Sequence, residues 1–187
     1  MALLDIVLYP DEPLTKVAAP VERFDEELRQ LVNDMVETMY ANDGLGLAAP
    51  QVGVSRRIVV IDYSDREQDE EPKLLVMINP RIEHAEGSIR WEEGCLSLPG
   101  LFREVQSHAV VDVVYQDVDG NPQRIHGEEL LAVALQHEID HLNGILFIDR
   151  LGPLKKRFAL KEWKRLRAEE LARRSEGRTE ERGGVEQ

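Results

Sequence analysis

The chain has 187 residues, enough for one domain with a sizeable core, and its length demands no second domain. Its 42% hydrophobic and 32% charged residues are typical of a soluble globular protein, and no apolar run approaches the roughly 18 residues of a membrane span. The formal net charge of −13 argues against specific DNA binding, because duplex phosphates are bound by clustered Lys and Arg.

The amino-terminal segment, residues 1–14, has no basic leader ahead of an apolar stretch, and Asp5 interrupts it. A secretory signal is therefore not expected, and the sequence predicts a cytoplasmic location. Because no apolar span follows, we expect no membrane partner.

After a proline-punctuated start, apolar residues recur at spacings of four and three between Phe24 and Met39. This period predicts an amphipathic helix with Asp25 as its N-cap and an end before Asn42. The next segment, GLGLAAPQVG (Gly44 to Gly53), is too small and too bent for an ordinary core strand, so its backbone is expected to approach another group closely. A dinucleotide-binding loop is excluded, because no GxGxxG lies between a strand and a helix.

The middle of the chain is predicted to form antiparallel sheet. Residues 56–63 and 74–80 are β-branched runs that predict two strands, the second closed by Asn and Pro. Residues 81–100 alternate in short polar and apolar steps, which favours a hairpin and a loop over a helix. Residues 103–116 and 123–128 flank Asp-Gly and Asn-Pro steps, which mark another hairpin turn.

From Glu128 to about Asn143 the period is helical again, and this helix is nearly apolar, so it should be buried. Gly144 stands just past its end, as a helix stop. Residues 145–149 are expected to form a short strand or extended exit. A last, basic helix is predicted over residues 154–174.

The predicted fold class is α+β, with mostly antiparallel sheets packed around the central helix and with one helix near each terminus. Residues 1–174 are expected to form a single catalytic domain. Residues 175–187 are expected to be a disordered tail, because they are polar, charged and rich in glycine.

The central helix carries the string HEIDH at residues 137–141. Residues four apart share a helix face, so His137 and His141 can bind one metal ion while Glu138 lies beside it. This pattern predicts a hydrolytic metal site. The alternative is two helix histidines with no common ligand.

Two histidines are too few for a catalytic metal, which takes three protein ligands and keeps one position for water. The protease pattern HExxHxxGxxH is excluded, because its last position is Phe147 here. Cys95 is the single cysteine and lies in the polar segment EGCLSLPG, where it could bind a divalent cation as a thiolate. A nucleophilic Cys–His pair is the competing use of Cys95, and it would leave Glu138 and one histidine without a role.

Three segments, GLGLAAPQVG, EGCLSLPG and QHEIDHLNG, resemble in order and spacing the three motifs of the bacterial peptide deformylases. The resemblance extends over roughly residues 5–160. It implies a reaction in which the formyl group of N-formylmethionine is removed from new polypeptides and formate is released. N-formylmethionyl nascent peptides would then be the substrate and partner.

The resemblance also implies roles for individual residues: metal ligands Cys95, His137 and His141, general acid/base Glu138, amide donor Gln51 and backbone N–H donor Leu96. It implies one divalent metal ion, Fe²⁺ in the cell. Mixed thiolate and imidazole ligation suits Zn²⁺, Ni²⁺ or Co²⁺ as well.

The same resemblance implies a role for the glycine-rich segment, because small residues let a substrate backbone pair with it as an added strand. Gly46 is the candidate for that contact. Leu45, Val133 and Ala134 are implied as the pocket for the methionine side chain, although periodicity alone would place Val133 and Ala134 in an ordinary core.

The sequence departs from the family at one position, since Ser107 stands where many deformylases carry an arginine. Arg103 is considered as a substitute. Two other functions stay open at this stage: another metal-dependent amidase or peptidase, and a non-catalytic relative that binds nascent chains. The basic last helix is considered as a ribosome contact.

Overall fold

A computed structural model of the protein describes residues 2–65, 69 and 71–183, and it describes side chains as far as residue 176. The helices are α1 (Glu26–Ala41), α2 (Glu129–Leu142) and α3 (Pro153–Gly183). Short 3₁₀ helices span Ala49–Val52 and Phe147–Arg150. The strands are β1 (Gly46–Ala48), β2 (Ile58–Asp62), β3 (Leu74–Glu86), β4 (Ile89–Glu93), β5 (Arg103–Ser107), β6 (Val110–Gln116) and β7 (Pro122–Glu128).

The strands form two antiparallel sheets. Five of them pair in the order β1-β2-β3-β6-β7, and β4 and β5 form a separate hairpin. Helix α2 packs against the larger sheet through a core that includes Val59, Met77, Val113 and Leu135. The predicted α+β fold with antiparallel sheets around the HEIDH helix is therefore confirmed.

Helix α1 begins as the sequence predicts. The Asp25 carboxylate accepts a hydrogen bond from the Leu28 N–H at 3.2 Å, so one of the unpaired amides of the first turn is satisfied. The helix ends at Ala41, and Leu28, Val32, Met35 and Met39 are buried against β1 and β2. This packing brings α1 against the edge of the sheet, where the glycine-rich segment forms β1.

Strand β3 differs from the prediction, because it continues through Pro80 to Glu86 instead of ending there. Asn79 has a left-handed φ of 52°, and the register of β3 against β6 shifts between Ile78 and Arg81. The irregularity admits Pro80, which has no N–H to donate to a ladder. The Asn79 side chain also stabilises the bulge by bonding both the N–H and the carbonyl of Val21.

The segment after α2 also differs from the prediction. Residues 145–149 were expected to be extended, but Phe147–Arg150 form a 3₁₀ helix. The Asp149 carboxylate accepts a bond from the Leu146 N–H at 2.9 Å, and this local side-chain bond favours a turn over a strand.

Helix α3 is longer than predicted, because it continues beyond Arg174 through Gly183 into the segment that was expected to be disordered. Glu and Arg, which follow Ser175, are good helix formers, and a helix that has already nucleated extends at low cost. Residues 184–187 lie outside the described part of the chain. Within that part, no helix combines the length and the apolar content needed to cross a membrane.

The last helix is anchored to the first residues of the chain. The indole N–H of Trp163 donates to the Tyr9 carbonyl at 2.9 Å, and Arg174 donates to the Ile6 carbonyl at 2.7 Å. Leu8, Phe147, Ile148, Ala159 and Trp163 share one buried cluster. This cluster closes the side of the molecule that carries Cys95.

Candidate metal centre

Helix α2 brings His137, Glu138 and His141 to one place, as their spacing predicts. The two imidazole rings lie 5.0 Å apart, centroid to centroid, with an interplanar angle of 78°. His141 is fully buried and Glu138 is 5% exposed. The carboxyl end of α2 is held by Leu142, whose carbonyl accepts bonds from the Ala18 N–H and from the Arg57 guanidinium.

Cys95 lies beside this pair, two residues after the end of β4. Its Sγ is 3.3 Å from Nε2 of His141. One donor atom from each of Cys95, His137 and His141 lies within 4.8 Å of the other two. Since a thiolate and two imidazoles that converge so closely match the ligand set of a catalytic divalent metal, these side chains fit such an ion.

Glu93 is a residue of the centre that the sequence prediction missed. Its carboxylate, 7% exposed, accepts a 2.7 Å hydrogen bond from Nδ1 of His137, so Nε2 is the His137 nitrogen left for a metal. A buried carboxylate bound to a metal-ligand histidine fixes both the ring orientation and the tautomer. The only signal in the sequence is position: Glu93 ends a strand two residues before Cys95.

The two histidines differ in their electrostatics. Burial lowers the pKa of His137, but hydrogen bonds to Cys95 and Glu93 outweigh it and raise the pKa well above its ordinary value. Burial, together with the neighbouring His137, lowers the pKa of His141 well below its ordinary value. His141 is therefore a neutral imidazole, the form that binds metals.

Gln51 has a defined side-chain orientation. Its Oε1 accepts a 2.9 Å bond from the Ala48 N–H, so its NH₂ group points the other way, to Sγ of Cys95 at 3.3 Å and Oγ of Ser97 at 3.4 Å. Ser97 is also a residue that the sequence prediction did not single out. It is fully buried and donates its own N–H toward Sγ of Cys95 at 3.4 Å.

Glu138 is buried in the wall of the centre. Burial raises its pKa to about 7, and the opposite charge of His137 only partly offsets this effect. Its Oε2 has no hydrogen-bond partner among the described residues. Gly46 allows the close packing here, because a Cβ at this position would lie 2.5 Å from Oε1 of Glu138.

A cavity of about 450 Å³ opens onto the centre. Leu45, Gly46, Gln51, Leu96, Val133, Ala134 and Glu138 all line it, together with Cys95 and His137. The structure therefore brings together every residue that the resemblance implied, with His141 buried behind the wall. Phe102 and Leu130 stand at this cavity as exposed apolar side chains, 55% and 39% exposed.

Ser107 is the residue that departs from the family pattern. Its Oγ lies 3.4 Å from Oε1 of Glu93. Arg103, which was considered as a substitute for the absent arginine, binds Glu162 of α3 and the Phe102 carbonyl through its guanidinium. Arg103 thus contacts α3, whereas Ser107 contacts Glu93 of β4.

The sequence matches the polypeptide deformylase family model over residues 3–157. A peptide deformylase of Syntrophobacter fumaroxidans is 52% identical over 165 residues, which are 88% of this chain and 96% of that relative. The chain belongs to the polypeptide deformylase family. The matched region contains all the residues of the centre and stops near the start of α3.

Solved structures of deformylases have the same fold. The enzyme of Legionella pneumophila superposes with a TM-score of 0.80 at 49% identity, and the alignment covers 89% of this chain and 98% of that one. The deformylase of Synechococcus elongatus in complex with actinonin superposes with a TM-score of 0.79 at 45% identity, over 85% and 86% of the two chains.

Proposed function

We propose that this deformylase-family chain hydrolyses the formamide bond of N-formylmethionine at the amino terminus of new polypeptides and releases formate. The observation that carries the proposal is the convergence of the Cys95, His137 and His141 donor atoms beside the buried Glu138, at the base of a cavity. The close resemblance to deformylases over most of the chain supports the choice of substrate.

Cys95, His137 and His141 would hold one divalent cation, with Fe²⁺ as the ion in the cell and Zn²⁺, Ni²⁺ or Co²⁺ as replacements. When bound, such a cation supplies Lewis acidity toward water and toward a carbonyl oxygen. Glu93 keeps His137 in the tautomer that presents Nε2, and burial keeps His141 neutral. Metal analysis of anaerobically purified protein identifies the ion.

Glu138 is the proposed general acid/base. A carboxyl group whose pKa is raised to about 7 can both accept and return a proton near neutral pH. Its carboxylate takes a proton from the attacking water and then returns it to the departing amine. Glu138 would ionise more readily with a cation held beside it, and it would then be ready for the first of these steps.

Gln51 and Leu96 are the proposed donors to the formyl oxygen. The Gln51 amide already points its N–H groups at Sγ of Cys95, so a carbonyl oxygen bound beside the thiolate lies within its reach. Leu96 follows Cys95 and lines the same cavity, so its backbone N–H would be the second donor. Each donor that meets the developing negative charge is worth about 3 kcal/mol in such sites.

Strand β1 is the proposed docking edge for the substrate backbone. It lies at the edge of the five-stranded sheet, and the Leu45 carbonyl bonds to the Asp62 N–H of the β2 side. Because bonding alternates along antiparallel strands, Gly46 directs its N–H and carbonyl away from β2. An extended peptide can pair there while its methionine side chain enters the pocket of Leu45, Val133 and Ala134.

The proposal includes a cytoplasmic location and a contact between the ribosome and the basic helix α3. Lys155, Lys156, Lys161 and Lys164 are among the cations of this helix. A Lys155→Ala/Lys161→Ala/Lys164→Ala variant, which removes three exposed cations of the helix, should keep full activity on small peptides. Weaker cosedimentation of this variant with ribosomes would support the contact, and unchanged cosedimentation would refute it.

The decisive experiment compares a formyl-Met peptide with its acetyl counterpart on the metal-loaded protein. We expect release of formate from the first and no cleavage of the second. Equal cleavage of both peptides would indicate a general amidase, and binding without cleavage would indicate a non-catalytic relative. Either result would refute the proposed function. Glu138→Ala, expected to bind metal without turnover, is the matched variant.

A further inference from the structure

Phe102 is an exposed aromatic side chain of the cavity that opens onto the metal centre, here called the substrate cavity. It lines this cavity, and 55% of it is exposed. A single exposed ring is ordinary on a protein surface, so its exposure alone indicates no function. Its position is more informative, because Phe102 contacts Gly94, the residue before the proposed metal ligand Cys95.

The ring is held in place from two sides. A Cβ at Gly94 would lie 2.5 Å from Cε1 and 2.7 Å from Cδ1 of Phe102, so the ring packs directly against the backbone of Gly94. The Phe102 carbonyl accepts a 2.7 Å hydrogen bond from Arg103, whose guanidinium also binds Glu162 of α3. A ring that is already fixed loses little conformational entropy when another apolar group packs against it.

The direction of the ring follows from the pairing of β4 with β5. Glu93 pairs with Arg103 at the end of this hairpin, and the Glu93 carboxylate points to His137 of α2. Consecutive residues of an extended chain direct their side chains to opposite faces. Gly94 and Phe102 are the next residues along the two strands, so they belong to the face that is directed away from α2. Their contact across the hairpin agrees with this arrangement.

The same alternation applies to a peptide that docks on β1. In the proposed function, its methionine side chain enters a pocket to which Val133 and Ala134 of α2 contribute. The second residue of the peptide must then direct its side chain away from α2. Phe102 lines the same cavity on that side.

We propose that Phe102 is a specificity-determining residue: it packs against the side chain that follows N-formylmethionine and favours new polypeptides whose second residue is aromatic. The inference rests on the proposed function, because it takes a formylated peptide as the substrate. Two aromatic rings that pack together favour binding by roughly 2- to 10-fold.

Shielding of the metal centre from water is the competing role for this ring. A shield would act on every peptide alike, so Phe102→Ala would lower kcat/KM by the same factor whatever the second residue is. A contact with the second residue would instead change the ratio of kcat/KM between two peptides that differ there.

The experiment measures release of formate by the metal-loaded full chain from formyl-Met-Phe-Ser, formyl-Met-Ala-Ser and formyl-Met-Ala-Phe. In the wild type, kcat/KM for the first peptide should exceed that for the second by roughly 5- to 10-fold, within the range for an aromatic pair. This ratio should fall below about 2 in Phe102→Ala and be intermediate in Phe102→Leu, which keeps an apolar side chain. The effect of phenylalanine at the third position, measured with the third peptide, should be the same in the wild type and in Phe102→Ala.

Phe158→Ala is the matched control. Phe158 is also an exposed phenylalanine, but it lies on α3 and is not among the described residues that line the substrate cavity. The control should keep the wild-type rates with all three peptides. Thermal unfolding checks that Phe102→Ala folds, and if it does not, the wild-type ratio and the Phe102→Leu variant still decide.

Equal kcat/KM in the wild type for the peptides with phenylalanine and alanine at the second position would overturn the proposal. A wild-type ratio in a folded Phe102→Ala would overturn it as well, and a uniform loss of activity in that variant would assign the ring to shielding. These results leave the proposed function standing, since formate is still released. Release of no formate from any of the three peptides would refute the proposed function, and the preference for the second residue with it.

Discussion

Gly46 of strand β1 and Glu138 of helix α2 are packed so closely that a Cβ on Gly46 would lie 2.5 Å from Oε1 and 2.9 Å from Cδ of Glu138. No ordinary side-chain contact is that short, so an alanine would have to displace the carboxylate. The glycine therefore serves the proposed general base as well as the proposed docking edge for substrate.

Gly46→Ala is expected to lower kcat/KM by at least about 100-fold, the lower end of the range for loss of a positioned acid or base, while metal content stays at the wild-type level. Deformylation of a formyl-Met peptide and metal analysis check this. Gly152→Ala is the control, because a Cβ at Gly152 meets nothing within 4 Å. Full activity of Gly46→Ala would show that Glu138 does not need its present position.

Glu93→Ala is expected to weaken metal binding by roughly 10- to 100-fold, because His137 loses the carboxylate that orients it. Glu93→Gln, which keeps an acceptor for Nδ1–H but not the charge, should have an intermediate affinity. Chelator competition measures both. Glu104→Ala, at an exposed site on β5, should be neutral. Equal metal affinities for the three variants would show that Glu93 does not orient His137 for metal binding.

Asp62, the last residue of β2, accepts hydrogen bonds from Tyr40, Ser64 and Lys73. Its loss should lower the free energy of unfolding in a pH-dependent way. Burial alone would raise its pKa, but bonds from Ser64, Tyr40 and Lys73 outweigh it and hold the pKa below its ordinary value. Asp62 therefore contributes stability that is present above the unfolded carboxyl pKa and is lost as pH falls through the folded pKa.

Asp62→Asn should lower the free energy of unfolding by about 2 kcal/mol at pH 7, the worth of hydrogen bonds to a charged group. The deficit should shrink as the pH falls below the ordinary aspartate pKa of about 4. Urea unfolding at several pH values measures it, with the exposed Glu22→Gln as control. If the loss of unfolding free energy were the same at every pH, packing and not the charge of Asp62 would stabilise the end of β2.

Gly144, just past α2, should be intolerant of substitution. Its φ is 71°, and a Cβ would lie 2.8 Å from the Lys16 nitrogen and the Thr15 carbonyl carbon. Gly144→Ala should cost about 3 kcal/mol through backbone strain and collision, whereas Gly152→Ala should stay within about 0.5 kcal/mol of wild type. Thermal unfolding of the two variants measures this difference. Equal Tm values for Gly144→Ala and Gly152→Ala would contradict the prediction.

The parts of the molecule that the sequence predicted well are those with a local cause. Helical period and an aspartate N-cap located α1, and i, i+4 spacing located the histidines on α2. The position of Cys95 beside the histidines followed from the need for a third ligand, and that of Gln51 beside Cys95 from the family motif. Each of these inferences depends on residues near one another in the chain, or on chemistry that admits few residue types.

The parts that the sequence did not predict depend on the tertiary structure. Glu93 acquires its role because the β4–β5 hairpin places it against His137, 44 positions along the chain. Gly46 was expected to meet a substrate, and its contact with Glu138 is set by how α2 crosses β1. Neither the Glu93–His137 contact nor the Gly46–Glu138 contact can be predicted from a periodicity, a spacing or a composition of the sequence.

The anchoring of α3 to the first residues has a kinetic consequence. The bonds from Trp163 to Tyr9 and from Arg174 to Ile6 span 154 and 168 positions, so they cannot form in a growing chain before Trp163 and Arg174 have been synthesised. Contacts of such long range slow folding, because a large loop must close before they stabilise anything. A protein proposed to process chains as they emerge from the ribosome can therefore complete its own fold only after Arg174 has been synthesised.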